Sequence, residues 1–130
     1  KVLVACEYSG IVRDAFTARG HDAISCDLLP SESPGYHWEG DIFECLKFHH
    51  YNFDLMIAHP ECKYLCFSGE RWITEIPGRM KLRLEAFEFF KELYNVPIKK
   101  ICIENSHSIF LNREFKKPTQ SVHPYHEHNI

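Results

Sequence analysis

Two polar segments combine the residue types that covalent catalysis on an electron-poor ring requires. The apolar run 53–58 leads into the segment that holds Cys62, and the apolar run 98–103 leads into Glu104 and Asn105. A thiolate can add to a ring carbon, while a carboxylic acid can protonate a ring nitrogen and stabilise the charge that develops. The pair therefore predicts chemistry at C5 of a pyrimidine, which is otherwise a poor nucleophile.

A further polar segment follows the first apolar run and predicts a cofactor site. It consists of Glu7, Tyr8, Ser9 and Gly10. A turn of small residues lets the backbone approach a ligand at a helix N-terminus. Asp27, 17 residues after Gly10, is placed to accept hydrogen bonds from ribose hydroxyls, and Asp41 to contact an adenine amino group. One glycine is too few for a diphosphate, so an adenosine without phosphates, such as S-adenosylmethionine, is expected. Alternatively, both aspartates only cap or terminate their elements.

These segments resemble the motifs of cytosine-C5 DNA methyltransferases. Residues 4–10 resemble the first motif, residues 54–69 look like the Pro-Cys loop with its later Phe-Ser-x-Gly piece, and residues 103–105 are similar to the Glu-Asn motif. Over residues 1–125 the chain is most similar to the small phage-type proteins of this superfamily. The resemblance implies a Rossmann-like methyltransferase fold, S-adenosylmethionine as cofactor, and DNA or a pyrimidine nucleotide as substrate.

The resemblance also implies a role for each matched residue. Cys62 would be the nucleophile and Glu104 the partner of the ring nitrogen, with Asn105 as a further catalytic residue. Asp27 would bind the ribose, Asp41 the adenine, and residues 7–10 the methionine end of the cofactor. The cofactor-binding residues are then Glu7, Tyr8, Ser9, Gly10, Asp27, Asp41, His59 and Pro60.

The chain departs from the family pattern at several places. Glu61 separates Pro60 from Cys62, and a neighbouring carboxylate disfavours a thiolate. Ser106 stands where the family has Val or Pro, and the basic segment 116–120 is the one partial substitute for a Gln-x-Arg-x-Arg element. The target-recognition region and the last strands of a methyltransferase sheet are missing. A minimal or truncated enzyme and a catalytically inactive binding protein with a methyltransferase fold therefore both stay open.

A zinc-binding domain is the third candidate. His59, Cys62 and Cys66 cluster in one segment, and three histidines cluster in the tail, at His123, His126 and His128. Zinc accepts such ligands, but these spacings match no established zinc pattern. We therefore assign no metal ligand from the sequence.

The pattern of apolar residues predicts the elements that must position these groups. Strands are expected at 1–6, 22–28, 53–58 and 98–104, and helices at 11–19 and 79–94. Residues 30–40 are expected to be a loop, 41–46 a short strand or turn, and 72–78 irregular, while the tail from Asn105 has no dominant period. Strands that alternate with helices predict an α/β fold with a mostly parallel sheet, whose ligands bind at the carboxyl ends of the strands.

Length and composition restrict the class of protein. The 130 residues predict one methyltransferase-like domain, residues 1–130, and the net charge of −3 predicts no basic field for nucleic acid. The sequence shows neither an apolar run of about 20 residues nor a secretion signal. We expect a cytoplasmic protein, in the host cytoplasm if it is phage-encoded, without membrane contact, and a homo-oligomer stays open. The cysteines are expected to be reduced, with Cys6, Cys26 and Cys102 inside buried strands.

Overall fold

Five parallel strands form a single sheet in a computed structural model that describes residues 1–65, 72–106 and 108–122. The strands are β1 (Val2–Ala5), β2 (Ala23–Asp27), β3 (His37–Glu39), β4 (Leu55–Ala58) and β5 (Lys100–Ile103). Their order across the sheet is β3-β2-β1-β4-β5, and every neighbouring pair is parallel. The chain builds the sheet outwards from β1 to β3 and then crosses to β4 on the other side of β1. This switch in direction lies between β1 and β4, where open α/β sheets bind ligands.

Helices cover the sheet between these strands. They are α1 (Ile11–Ala18), α2 (Ile42–Phe48), α3 (Trp72–Glu75), α4 (Arg79–Tyr94) and α5 (Ile109–Glu114). Two of them begin at side-chain caps, because Asp41 accepts a hydrogen bond from the Glu44 amide and Ser108 accepts one from the Leu111 amide. The architecture is α/β and consistent with a Rossmann-like fold, as the alternation of apolar runs predicts.

The two faces of the sheet pack against different helices. Leu3 and Met56, which are fully buried neighbours on β1 and β4, contact a core that includes Leu46 of α2 and Leu93 of α4. On the opposite face, Val2 and Val4 pack with residues of α1. Burial of both faces explains why β1 reads as a continuous apolar run.

Some of the elements differ from the sequence-based expectation. Residues 41–46 do not form a strand or turn, because Asp41 caps a helix there. The loop 30–40 contains β3, the tail contains α5, and the region 72–78 contains α3. Cys102 is exposed rather than buried, since it lies on the edge strand β5, and Cys6 is half-buried just beyond the end of β1, whereas Cys26 is buried as expected. Within the described residues, no helix is long and apolar enough to cross a membrane.

Candidate functional site

A cavity of about 470 Å³ opens at the carboxyl ends of the strands. Its walls come from the end of β2, from residues that follow β1 to β4, and from α4. The lining residues are Cys6, Cys26, Asp27, Leu28, Gly40, Asp41, Ile42, His59, Glu61, Tyr64, Leu82, Glu85, Ala86 and Phe89. Three of the residues predicted to bind a cofactor, Asp27, Asp41 and His59, therefore line one cavity at the expected edge of the sheet.

The two aspartates each make a local hydrogen bond in addition to lining the cavity. Oδ1 of Asp27 accepts a hydrogen bond from the Leu29 amide at 2.9 Å, and Oδ2 of Asp41 accepts one from the Glu44 amide at 3.3 Å. A carboxylate has capacity for further donors beyond these bonds. The capping role that the sequence left open is thus present, and it is compatible with a second role towards a ligand.

The floor of the cavity contains a thiol in an unusual backbone conformation. Cys6 directly follows β1 and has a φ of +58°, which is uncommon for a residue with a side chain. Burial, followed by the charges of Asp27 and Asp41, raises the pKa of Cys6 to about 12. Hydrogen bonding to Cys45 and burial likewise raise the pKa of Cys26. Both thiols are therefore protonated near neutral pH and poor nucleophiles.

The charged side chains of the described residues that line the cavity are acidic. Four carboxylates contribute to the wall, and no Lys or Arg does so among the described residues. They are Asp27, Asp41, Glu61 and Glu85. A cavity with this lining favours a cationic ligand over an anionic one.

The predicted turn 7–10 lies at the start of α1 and does not line this cavity. Gly10 has a φ of +81°, and a Cβ there would lie 2.6 Å from Nη2 of Arg13, so only glycine fits. Ser9 donates a hydrogen bond to Glu7 and accepts one from the Ile11 amide at 3.2 Å. Oε2 of Glu7 is buried and has no partner among the described residues, while the Tyr8 side chain is exposed.

The predicted catalytic residues gather at the ends of β4 and β5, next to the cavity. The ladder of the sheet continues past both strands, because the His59 amide donates to Ala5 at 3.0 Å and the Glu104 amide donates to Ala58 at 3.0 Å. As a result, Nδ1 of His59 lies 3.8 Å from Oε2 of Glu104. His59 lines the cavity and Glu104 does not, so this pair forms the border between the cavity and the predicted catalytic residues.

Cys62 and Asn105 lie at the same edge but outside the cavity lining. Sγ of Cys62 is 3.3 Å from Oγ of Ser106, a contact between the segments that follow β4 and β5. The side-chain amide of Asn105 is buried, and neither its nitrogen nor its oxygen has a partner among the described residues. The Nε2 atom of His59 is buried and unpaired in the same way, and Pro60 is buried. Unpaired buried polar atoms at the edge of a cavity are the groups that a ligand can satisfy.

Sequence reasoning missed the side chains that hold the Cys62 segment, which we define as residues 59–65. Arg83 of α4 is only 2% exposed, and its Nε donates to the Tyr64 carbonyl at 2.8 Å. Arg83 also lies three and seven positions away from Ala86 and Phe90, on the inner face of α4. A charged residue in the middle of a helix's apolar stripe was the available signal.

Lys116, the first residue of the basic segment 116–120, lies away from the Cys62 segment. Nζ of Lys116 donates to the Tyr94 hydroxyl at 2.8 Å, at the last residue of α4. Because α4 returns the chain to the start of β5, Tyr94 lies towards the amino ends of the strands. Lys116 therefore does not substitute for an arginine beside the thiol.

The metal alternative finds no support in the part of the chain that the structure describes. Within that part, no group of three or more His, Cys, Asp or Glu side chains is placed to hold a metal ion. Cys66, the Phe67–Gly69 piece and the histidines at 123, 126 and 128 lie outside the described residues.

The chain was also compared with known proteins. No protein-family model, no curated protein and no solved structure matches it. The site therefore has to be interpreted from its own geometry.

Proposed function

We propose that the chain is an S-adenosylmethionine-dependent methyltransferase of the cytosine-C5 type, with DNA or a pyrimidine nucleotide as its substrate. The observation that carries the proposal is a juxtaposition. Asp27, Asp41 and His59 line one cavity, and the His59–Glu104 pair joins that cavity to the edge where Cys62 lies. Five motif positions from four separate segments of the chain thus lie at the carboxyl edge of one parallel sheet.

The cavity has the chemical character that this cofactor requires. S-adenosylmethionine carries a positively charged sulfonium, and the four carboxylates that line the cavity favour a cation. Asp27 would accept from the ribose hydroxyls and Asp41 from the adenine amino group. The unpaired Nε2 atom of His59 offers a further polar contact. When bound, the cofactor supplies an electrophilic methyl group.

The residues at the border supply the chemistry on the ring. The thiolate of Cys62 would add to the ring carbon beside C5, and the electron pair of the broken double bond would make C5 nucleophilic. Glu104 would donate a proton or hydrogen bond to the ring nitrogen and so stabilise the charge that develops. The unpaired amide of Asn105 provides both a donor and an acceptor for the same ring.

Two measurements test the proposal in sequence. Calorimetric titration with S-adenosylmethionine should show binding that weakens in Asp27→Asn, and no binding at millimolar ligand would remove the cofactor assignment. Incubation with DNA that contains 5-fluorocytosine and with the cofactor should then trap a covalent adduct in the wild type but not in Cys62→Ala.

An inactive binding protein is the second candidate, and the position of Glu61 favours it. Glu61 precedes Cys62 directly, where the family that the sequence resembles has proline, and it contributes a carboxylate to the cavity wall. Cofactor binding without a trapped adduct in either protein would support this candidate. A Glu61→Pro variant that gains the adduct would identify Glu61 as the cause of the inactivity.

A further inference from the structure

Two buried side chains hold consecutive carbonyl groups at the end of the Cys62 segment. Nε of Arg83 donates to the Tyr64 carbonyl at 2.8 Å, and Oγ of Ser108 donates to the Leu65 carbonyl. Arg83 and Ser108 are 2% and 4% exposed. Burying a guanidinium is costly unless its interactions compensate for the lost water. Packing alone therefore does not explain why the charged side chain of Arg83 is buried.

The contacts of the two side chains link the Cys62 segment to the segment after β5. The Arg83 guanidinium lies 4.7 Å from the ring centre of Phe110, which belongs to α5, and Ser108 caps that helix. Leu65 is fully buried in a cluster with Phe110 and Leu111. The end of the Cys62 segment is thus fixed by Arg83 of α4 and by Ser108 and α5, which follow Ser106 in the chain.

The two carbonyl groups belong to a turn that also contains Cys62. The Leu65 amide donates to the Cys62 carbonyl at 3.0 Å, which closes a turn over residues 62–65. On the other side of this turn, the guanidinium of Arg79 lies 4.8 Å from the ring centre of Tyr64. Arg79 and Arg83 are one helical turn apart on α4, so one helix contacts both the ring and the carbonyl of Tyr64.

We propose that Arg83 and Ser108 are positioning residues, which hold the turn 62–65 so that Cys62 stays against Ser106 and faces the ring that reacts. The inference rests on the proposed function for the identity of that ring. The positioning itself concerns only the distance between Cys62 and Ser106, which can be probed without cofactor or substrate.

The test is a double-mutant cycle on the alkylation rate of Cys62 by iodoacetamide, followed by peptide mass spectrometry. The exposed thiol of Cys102 is the internal reference. We expect Ser106→Ala to slow the alkylation of Cys62 about fivefold in the wild type and less than about twofold in the Arg83→Met background. The same factor in both backgrounds would overturn the proposal, as would a Ser106→Ala variant with no effect in the wild type.

Matched variants separate positioning from a general loss of structure. Lys81→Met removes an exposed cation from the same helix and should keep the full coupling, by which we mean the effect of Ser106→Ala on the alkylation rate of Cys62. Arg83→Lys can still donate to the Tyr64 carbonyl and should keep most of it. If Arg83→Met does not fold, Ser108→Ala takes its place, with Ser108→Thr as the variant that keeps the hydroxyl. Full coupling in Ser108→Ala would then contradict the proposal.

Enzyme kinetics provide a second measurement that distinguishes the two proposals. Arg83→Met should lower kcat and leave KM for S-adenosylmethionine unchanged, because Arg83 does not line the cavity, whereas Arg83→Lys should keep most of the wild-type kcat. A rise in KM with kcat unchanged would argue against positioning. Loss of coupling without any trapped adduct in the wild type would support the positioning role and refute the methyltransferase.

Discussion

Sγ of Cys62 lies 3.3 Å from Oγ of Ser106 and so joins the chain after β4 to the chain after β5. A hydroxyl at this distance can donate a hydrogen bond to a thiolate, and such a bond contributes about 1 kcal/mol. Ser106→Ala should therefore slow alkylation of Cys62 near neutral pH about fivefold, whereas Ser106→Thr should restore the rate. An unchanged rate in Ser106→Ala would show that the hydroxyl does not stabilise the thiolate.

Asp41 allows the capping role and the ligand role to be separated. Asparagine caps a helix about as well as aspartate does, whereas alanine loses about 1 kcal/mol. Asp41→Asn should keep the thermal stability and weaken cofactor binding, because the carboxylate acceptor in the cavity is lost. Asp41→Ala should lose both. Calorimetry and thermal denaturation of the two variants measure this, and equal binding in Asp41→Asn and the wild type would leave Asp41 with a capping role alone.

Cys6 should make the protein less stable at alkaline pH. Its pKa is raised from 9.0 to about 12 in the folded protein, so above pH 9 the unfolded chain loses a proton that the folded chain keeps. The free energy of unfolding should then fall by about 1 kcal/mol between pH 9 and pH 10. Urea denaturation should show a smaller fall in Cys6→Ser. Cys102→Ser, at an exposed thiol, is the control and should keep the wild-type fall.

Arg13 should stabilise the segment that joins β2 to β3 from inside the protein. This residue of α1 is 1% exposed, and its Nη2 donates to the carbonyls of Ser33 and Pro34 at 3.0 and 3.2 Å. Arg13→Met would remove these hydrogen bonds together with the one that the buried guanidinium donates to the buried Ser25 hydroxyl, at a cost of about 3 kcal/mol in the free energy of unfolding. Urea denaturation measures the loss. Arg19→Met, which removes an exposed cation beside the same helix, should change stability by less than about 0.5 kcal/mol.

The sequence was sufficient for the elements whose own residues carry a strong pattern. The bounds of α4, Arg79–Tyr94, agree with the expectation, and β1 and β4 lie within the predicted runs. By contrast, β3 contains three residues and depends on pairing with β2 rather than on any alternation of its own. The helices α2 and α5 are also short, and their signal was the cap in front of each, Asp41 and Ser108, rather than their periodicity.

The order of strands and helices alone predicts which edge of the sheet carries the candidate site. Placing a polar residue at the end of a parallel strand or directly after it is enough to bring it to the carboxyl edge, as Asp27 and His59 show. The side chains that support the site could not be found in this way. Arg83 reaches the Tyr64 carbonyl only through tertiary packing, and no local pattern in the sequence specifies that contact.

The hydrogen bond from Ser108 to Leu65 also has a consequence for how the molecule is made. Its two residues are 43 positions apart, whereas β1 and β2 pair across a single short helix. Contacts of low sequence separation form early, and those that close long loops form late. A chain growing on the ribosome can assemble the half of the sheet around β1 before Ser108 has been added. The turn around Cys62 acquires its final shape only afterwards, so a nascent chain stopped before residue 108 should have a sheet but no ordered thiol.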